Sequence, residues 1–416
     1  MSKTKAFVLV TLIVLAISLL IFSGVMMAMK WDFTRFSFSK FETNEHTVDA
    51  PFSDIAVIGD AARITLAPAD GGEVKVVCRE RERARHTVSV EDGCLLIELD
   101  DQREWYDHID FFGSAEITVY LPAGGYGDLT IKRKTGDVKI PQGFTFGSVD
   151  IEGSTGETSF SAVSNGALHI KASTGRIRLF EASAASIELR TSTGDITLIS
   201  TVSHGDLSLF VTTGKVWVDG TRCAGDATVT ASTGDLYFMG FAARSLTTSG
   251  DTGDIELRES GIEGAVTILR STGDVELCGV SCSSLKLKTS TGVHRLTSVN
   301  ASGDISTTVS SGRSYLERVR CQGLESSGSS GRVHLSDVVA EGVISLARVS
   351  GAIEFDGCDA AEIVVETSSG DVCGSLLSEK IFIVRSSSGK IRVPETTEGG
   401  ACRVKTASGD IILTVE

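Results

Sequence analysis

The sequence predicts an all-β fold: a parallel β-solenoid, expected to be a right-handed β-helix, of about 15 coils of 19–20 residues. The main observation is an internal repeat, in which strings such as STGDITL, STGDLYF and STGDVEL recur at intervals of 19 or 20 residues. The composition agrees, because 44 Gly against only 5 Pro favours many tight, regular turns. The repeat glycines, called corner glycines below, are Gly136, Gly156, Gly175, Gly194, Gly214, Gly234, Gly253, Gly273, Gly292, Gly312, Gly331, Gly351, Gly370, Gly389 and Gly409.

Each copy contains short segments in which apolar and polar residues alternate, as in β-strands. Apolar residues stand seven positions before the corner glycine, as Leu207 does, and two and four positions after it, as Val216 and Val218 do. A further pair seven and nine positions after it, such as Val280 and Cys282, predicts a third short strand. A coil this short cannot bury a hydrophobic face alone, so the copies are expected to stack about 4.8 Å apart.

The corner itself is expected to need glycine, because a positive φ is costly for any residue with a Cβ atom. Thr precedes the glycine in the first nine copies and Ser in the last six. Hydroxyl groups in register on neighbouring strands can form hydrogen bonds with one another. This column of Thr and Ser residues before the corner glycines, called the hydroxyl column below, is therefore interpreted as structural.

The chain is expected to divide into five parts. Residues 1–5 form a short tail, and 6–29 form an uncleaved, single-pass transmembrane anchor, because 24 consecutive residues there carry no charge. A cleaved signal peptide is the alternative. Residues 30–50 are a linker, 51–128 an N-terminal β cap with a degenerate first coil, and 129–416 the solenoid outside the cell membrane. Only seven residues follow Gly409, so the far end is expected to lack a cap and to allow self-association.

At this point several strings resemble a known family. VSVEDGCLLIEL, REWYDHIDFFG and ITVYLP, followed by TGDV and the STGD copies, are similar to the DUF4097 family of proposed adhesins with β-strand repeats. The resemblance covers about residues 50–416 and implies a β-helix-like fold with a surface role. It supplies no catalytic motif. The chain departs from the pattern after Gly292, where Val293 and His294 replace the usual Asp and apolar residue.

The acidic residue that follows many corner glycines raises the question of metal binding. Clustered carboxylates suit calcium, but the nine-residue repeat of calcium-binding β-rolls is absent and basic residues interrupt the column, so solvated turn acids are expected. The seven histidines show no zinc-binding spacing, and the cysteines in the columns are interpreted as small core residues. No metal, cofactor or catalytic residue is predicted. The acidic residues of the column are Asp137, Asp195, Asp235, Asp254, Asp274, Asp371 and Asp410.

Two outward-facing pairs are the candidates for activity. Glu256 and Glu276 should stack in neighbouring coils near Arg258, as paired carboxylates do in some polysaccharide-cleaving β-helices, although a solvated face is the preferred interpretation. Trp217 and Tyr237 should also stack, and adjacent exposed aromatic rings can lie against a sugar ring. This second pair is the candidate ligand patch.

The predicted function is a membrane-anchored, cell-surface module with a binding, adhesin-like or structural role and no catalysis. The alternatives are an accessory scaffold for envelope stress or signalling, and a carbohydrate-active β-helix enzyme. The expected partners are the membrane and a surface glycan or protein ligand. Nucleic acid is excluded, because a formal net charge of −15 repels phosphates.

Overall fold

The computed structural model describes residues 3–28, 31, 41–102 and 114–416. Helix α1, Lys3–Ala28, contains most of the predicted anchor. Within the described part of the chain, no helix has both the length and the hydropathy needed to cross a membrane, so the predicted anchor is not confirmed. Residue 29, most of the first half of the predicted linker and the WYD string at 105–107 lie outside the described residues.

The rest of the described chain is almost entirely β-strand. The strands are, in chain order, β1 Phe41–Val48, β2 Asp54–Ile58, β3 Ala62–Pro68, β4 Val74–Arg81, β5 Ala84–Glu91, β6 Cys94–Asp101, β7 Ala115–Leu121, β8 Gly124–Gly125, β9 Leu129–Thr135, β10 Val138–Ile140, β11 Phe144–Phe146, β12 Val149–Thr155, β13 Thr158–Phe160, β14 Val163–Thr174, β15 Ile177–Phe180, β16 Ser183–Thr193, β17 Ile196–Ile199, β18 Val202–Ser203, β19 Leu207–Thr213, β20 Val216–Asp219, β21 Arg222–Thr233, β22 Leu236–Met239, β23 Ala242–Thr252, β24 Ile255–Arg258, β25 Gly261–Ile262, β26 Ala265–Thr272, β27 Val275–Cys278, β28 Ser281–Cys282, β29 Ser284–Thr297, β30 Asn300–Ala301, β31 Ile305–Cys321, β32 Leu324–Ser330, β33 Val333–Ser350, β34 Ile353–Ser369, β35 Val372–Leu376, β36 Lys380–Ser386, β37 Ile391–Arg392, β38 Gly400–Thr406 and β39 Ile411–Val415.

These strands form a parallel β-solenoid of about 14 turns, close to the fifteen copies counted in the sequence. Most coils contribute one strand to each of three parallel ladders. In the coil around Gly214, β19 precedes the corner, β20 follows it, and the start of β21 supplies the third ladder. The apolar columns line the interior: Leu207 and Leu209 before the corner and Val216 and Val218 after it are buried. The change of apolar parity across the corner and the third strand are thus confirmed.

The corner requires glycine for two separate reasons, which Gly234 illustrates. Its φ is 138°, a conformation that side chains disfavour, and a Cβ atom built on it would collide with the carbonyl oxygen of Gly214 in the preceding coil. The collision recurs at the corner glycines that do not have a left-handed φ, so close stacking alone excludes a side chain there. Those residues are Gly175, Gly312, Gly370, Gly389 and Gly409. In the hydroxyl column, Ser311 and Ser330 lie within hydrogen-bond distance at 3.2 Å.

Antiparallel strands end the ladders at the N-terminal side. Strand β2 lies between β9 and β6, and β6 pairs antiparallel with β5. Strand β3 lies between β10 and β7, followed by antiparallel β4 and β1. Strand β1 therefore occupies residues 41–48 of the predicted linker. Because antiparallel pairing cannot continue the solenoid, these strands terminate its stacking.

The C-terminal end has an order that the repeat does not reveal. The last coil does not lie at the end of the rod, because β38 pairs with both β34 and β36, and β39 pairs with both β35 and β37. The last coil is thus inserted between its two predecessors in sequence, and the coil around Gly389 becomes the terminal one. In that coil Ile381 and Ile383 are 41% and 54% exposed. Self-association through this end stays a prediction.

Three arginines interrupt the apolar interior, and each stands three positions before a corner glycine. Arg133, Arg270 and Arg348 are 6%, 4% and 3% exposed. A Cβ atom on the glycine that occupies the same column position in an adjacent coil would crowd each guanidinium, as at Gly153 for Arg133 and Gly328 for Arg348. Glycine in the neighbouring coil therefore makes the room that a buried guanidinium needs.

Candidate functional site

The acidic column has a structural role in every one of its coils. In each case one carboxylate oxygen accepts a hydrogen bond from the backbone N–H of the equivalent residue in the next coil of the stack. Asp254, for example, accepts from the N–H of Asp274 at 2.8 Å, and Asp371 accepts from that of Asp410 at 2.9 Å. The full set of accepting residues is Asp137, Asp195, Asp235, Asp254, Asp274, Asp371 and Asp410. These hydrogen bonds explain why Asp recurs after the corner glycine, because they satisfy backbone N–H donors at each corner.

Trp217 and Tyr237 lie side by side on neighbouring strands β20 and β22. Their ring centroids are 5.4 Å apart with an interplanar angle of 36°, and Trp217 is 44% exposed. Lys215 lies over the Tyr237 ring at 5.6 Å and forms an ion pair of 3.1 Å with Asp235. The Tyr237 hydroxyl donates to Asp235 at 3.3 Å. These contacts hold the two rings in one orientation on a rigid sheet.

The same outward column continues past the aromatic pair along the rod. After two glutamates it reaches Arg295, whose guanidinium lies 5.1 Å from the centre of the Tyr315 ring. Tyr315 lies 6.4 Å from the His334 ring, and His334 lies 3.2 Å from a carboxylate oxygen of Glu354. The lateral face thus presents aromatic and charged groups in register over many coils. An extended ligand could contact several of them at once.

Glu256 and Glu276 are neighbours on strands β24 and β27, as predicted. Arg258 lies between them: it donates to Glu256 and, at 2.8 Å, to Glu276. A glycosidase needs one carboxyl that is protonated and another that is free to act as base or nucleophile. Here both carboxylates are ion-paired with the same guanidinium, which arranges the three side chains as a surface ion-pair network.

The structure also brings together three residues that sequence spacing did not connect. Cys78, Glu80 and His86 are all buried in the N-terminal cap, with one potential ligand atom from each lying within 4.8 Å of the others. Glu80 accepts from Asn44 at 2.8 Å and from the backbone of His86 at 2.6 Å, while its second contact with His86 joins Oε2 to Nδ1 at 2.7 Å. Burial and the charge of Glu80 raise the pKa of the Cys78 thiol to about 12, which disfavours the thiolate that metals bind. The hydrogen bonds of Glu80 make the cluster a buried structural link between β1, β4 and β5.

The nine cysteines all carry free thiols. Cys223, Cys282 and Cys321, which share one column, are buried. Burial is the main cause that raises the pKa of each of these thiols. They occupy small core positions and do not form a reactive site.

Three crystal structures show some similarity to this chain. A proposed adhesin from Bacteroides fragilis is 15% identical with a TM-score of 0.32, and the match covers 57% of this chain and 96% of that one. A proposed cell adhesion protein from Clostridium sporogenes is 8% identical with a TM-score of 0.18 and coverage of 91% and 100%. A proposed adhesin from Parabacteroides distasonis is 12% identical with a TM-score of 0.22 and coverage of 80% and 98%.

No curated protein matches the chain in sequence. A family model does match, over residues 52–239 and 289–416, and its description is Toastrack DUF4097. The unmatched stretch, 240–288, still contains corner glycines at Gly253 and Gly273 and stacks in register with the coils on both sides. Since the match spans well over half of the residues, this chain belongs to the DUF4097 (Toastrack) family.

Proposed function

We propose that this protein is a surface-displayed binding module of adhesin-like character, which uses the lateral face of its solenoid to hold a glycan or protein ligand and performs no catalysis. The observation that carries the proposal is the Trp217–Tyr237 pair. Two aromatic rings in contact, one of them 44% exposed, form an apolar patch on the outer face of the sheet. Surfaces of this kind are where sugar rings and hot-spot side chains bind.

The rigidity of the face supports the same conclusion. Trp217 is held between Thr197 and Tyr237 by continuous parallel pairing on both sides. Little conformational entropy is lost when a ligand binds to groups that are already fixed. The non-enzymatic part of the proposal is supported by Arg258, which forms ion pairs with both of the stacked glutamates.

The test is a double substitution, Trp217→Ser with Tyr237→Ser, in the full-length protein. Neither ring fills the core, so the melting temperature should change little. Binding to cell-wall polysaccharide or host glycans on an array should weaken by about 1–3 kcal/mol, as expected when buried aromatic contacts are lost. Phe180→Ser removes another exposed aromatic ring and serves as the matched control. Equal binding by the double variant and the control would reject the patch.

The proposal includes display at the membrane by the segment 6–29. Its support is the run of 24 uncharged residues in the sequence, which is long enough to span a bilayer. Protease added to intact cells should then remove the chain beyond residue 29 and leave a membrane-bound N-terminal fragment. Complete protection of the solenoid until the cells are lysed would contradict this topology.

A further inference from the structure

A groove runs over five coils near the C-terminal end of the rod, along the bend that precedes the corner glycines. Its volume is about 560 Å³, and it is called the C-terminal groove below. At the spacing of neighbouring strands, five coils extend over about 20 Å. The groove therefore suits an extended chain that lies parallel to the rod axis.

The wall of the C-terminal groove is basic, although the protein as a whole is acidic. Glu366, Lys405 and Arg385 stand side by side on β34, β38 and β36, an order created by the inserted last coil. Arg348 adds a further cation to the lining. Among the described residues, neither Lys405 nor Arg385 forms an ion pair, so both positive charges are available to a ligand.

Beneath the groove lie three buried polar atoms that have no hydrogen-bond partner among the residues that the structure describes: Arg348 Nε, Thr367 Oγ1 and Thr406 Oγ1. These side chains are 3%, 7% and 2% exposed. Buried polar atoms without partners are costly and uncommon, so the three together leave the interior beneath the groove short of hydrogen-bond partners.

Arg348 also carries a positive charge that no carboxylate of the described residues balances. It donates to Ser326 Oγ at 2.9 Å, to the carbonyl of Ala347 at 2.8 Å and to Ser314 Oγ at 3.4 Å, and all of these partners are neutral. Burial without a carboxylate partner lowers the pKa of the guanidinium to about 10. An anion in the groove would supply the missing counter-charge.

A second groove at the other end of the rod shows why the C-terminal one is the better candidate. It has a volume of about 330 Å³ and lies over Arg133, in the same position relative to the corner. There, however, Lys134 is paired with Asp60 at 3.0 Å and Lys171 with Glu152 at 3.8 Å. Its cations are already partly neutralised within the protein.

We propose that the C-terminal groove binds an acidic polysaccharide, with sugar carboxylates at Arg385 and Lys405 and sugar hydroxyls at the exposed hydroxyl groups of Ser368 and Ser387. The lining combines guanidinium and ammonium groups with several Ser and Thr side chains and includes no aromatic residue. Nucleic acid is disfavoured because bases would find no ring to stack on. This site lies apart from Trp217 and Tyr237 and does not depend on them.

The test is calorimetry with the full-length protein in mild detergent, using hexagalacturonate as the acidic probe and maltohexaose as its neutral counterpart. Hexagalacturonate should bind, and more weakly at higher salt, while maltohexaose should not. Arg385→Gln with Lys405→Gln should reduce the affinity at least tenfold. Lys288→Gln removes an exposed cation at the same column position outside the groove and should leave binding unchanged.

Three results would overturn the proposal: no binding of hexagalacturonate by the wild-type protein, equal binding of maltohexaose, or equal losses in the double variant and in Lys288→Gln. Binding of inorganic polyphosphate as tightly as hexagalacturonate would also overturn it, because the groove would then be a general anion site. The Trp217→Ser, Tyr237→Ser variant should bind hexagalacturonate normally. That result separates failure of this proposal from failure of the aromatic patch.

Discussion

His294 makes the solenoid sensitive to acid at one coil. Its side chain is completely buried in a column where the preceding coil has Val275, and its Nε2 lies 2.9 Å from the hydroxyl of Thr289. Burial, and to a lesser degree the charge of Arg348, lower the pKa of His294 from 6.5 to about 4, and Asp274 offsets part of the shift. The folded coil therefore holds the neutral imidazole.

The direction and size of the effect follow from this shift. Because the unfolded chain binds a proton at His294 more readily than the folded chain does, the contribution to stability is complete above pH 6.5 and is lost as the pH falls towards 4. At pH 4.5 the loss amounts to about 2.5 kcal/mol. Amide protection in this coil should then fall nearly a hundredfold between pH 7.5 and 4.5.

Hydrogen exchange read by mass spectrometry suits this measurement, because repeat proteins open locally rather than in one step. Peptides that cover β29 should lose protection, after correction for intrinsic exchange rates, in the wild-type protein. His294→Val, which copies Val275, and His294→Gln, which keeps a polar group but does not titrate, should both remove this component. If both variants lose as much protection as the wild type, the assignment of the acid sensitivity to His294 is wrong.

Three further predictions test the stacking of the coils. Gly234→Val should destabilise the fold by more than about 1–3 kcal/mol, because φ is 138° and the new side chain collides with the preceding coil; an unchanged melting temperature would contradict this. Asp254→Ala should cost about 1 kcal/mol in urea unfolding, because a backbone N–H of the next coil loses its acceptor, and no change would show that water replaces it. Val364→Cys with Arg403→Cys should form a disulfide in the oxidised protein, since these residues are partners on adjacent strands. Val364→Cys with Ile383→Cys should not, since β38 lies between them, and the reverse pattern would reject the inserted order of the last coils.

The repeat made most of the architecture predictable. A fixed interval of 19 or 20 residues places equivalent positions on neighbouring strands, so the inward columns, exemplified by Leu207 and Val216, and the outward contact of Trp217 with Tyr237 follow from one alignment. Such contacts are set by register between consecutive coils, which the sequence specifies directly. The role of the acidic column was missed, although its regular recurrence beside the corner glycine was the signal for it.

Only the tertiary structure decided the features that depend on packing outside this register. Nothing in the repeat orders the last two coils, because both carry the same columns and either can stack on the coil around Gly370. The pairing of Glu366 with Lys405 on neighbouring strands, and with it the C-terminal groove, therefore arises from residues that are about two repeats apart in sequence. The cap cluster of Cys78, Glu80 and His86 depends in the same way on antiparallel pairing. The cap strands do not repeat in sequence, so no alignment of copies predicts which of their residues meet. The repeat register predicts contacts between consecutive coils, because each position recurs at a fixed interval. Contacts at the two ends of the rod join residues that no repeat relates, so only the folded structure shows them.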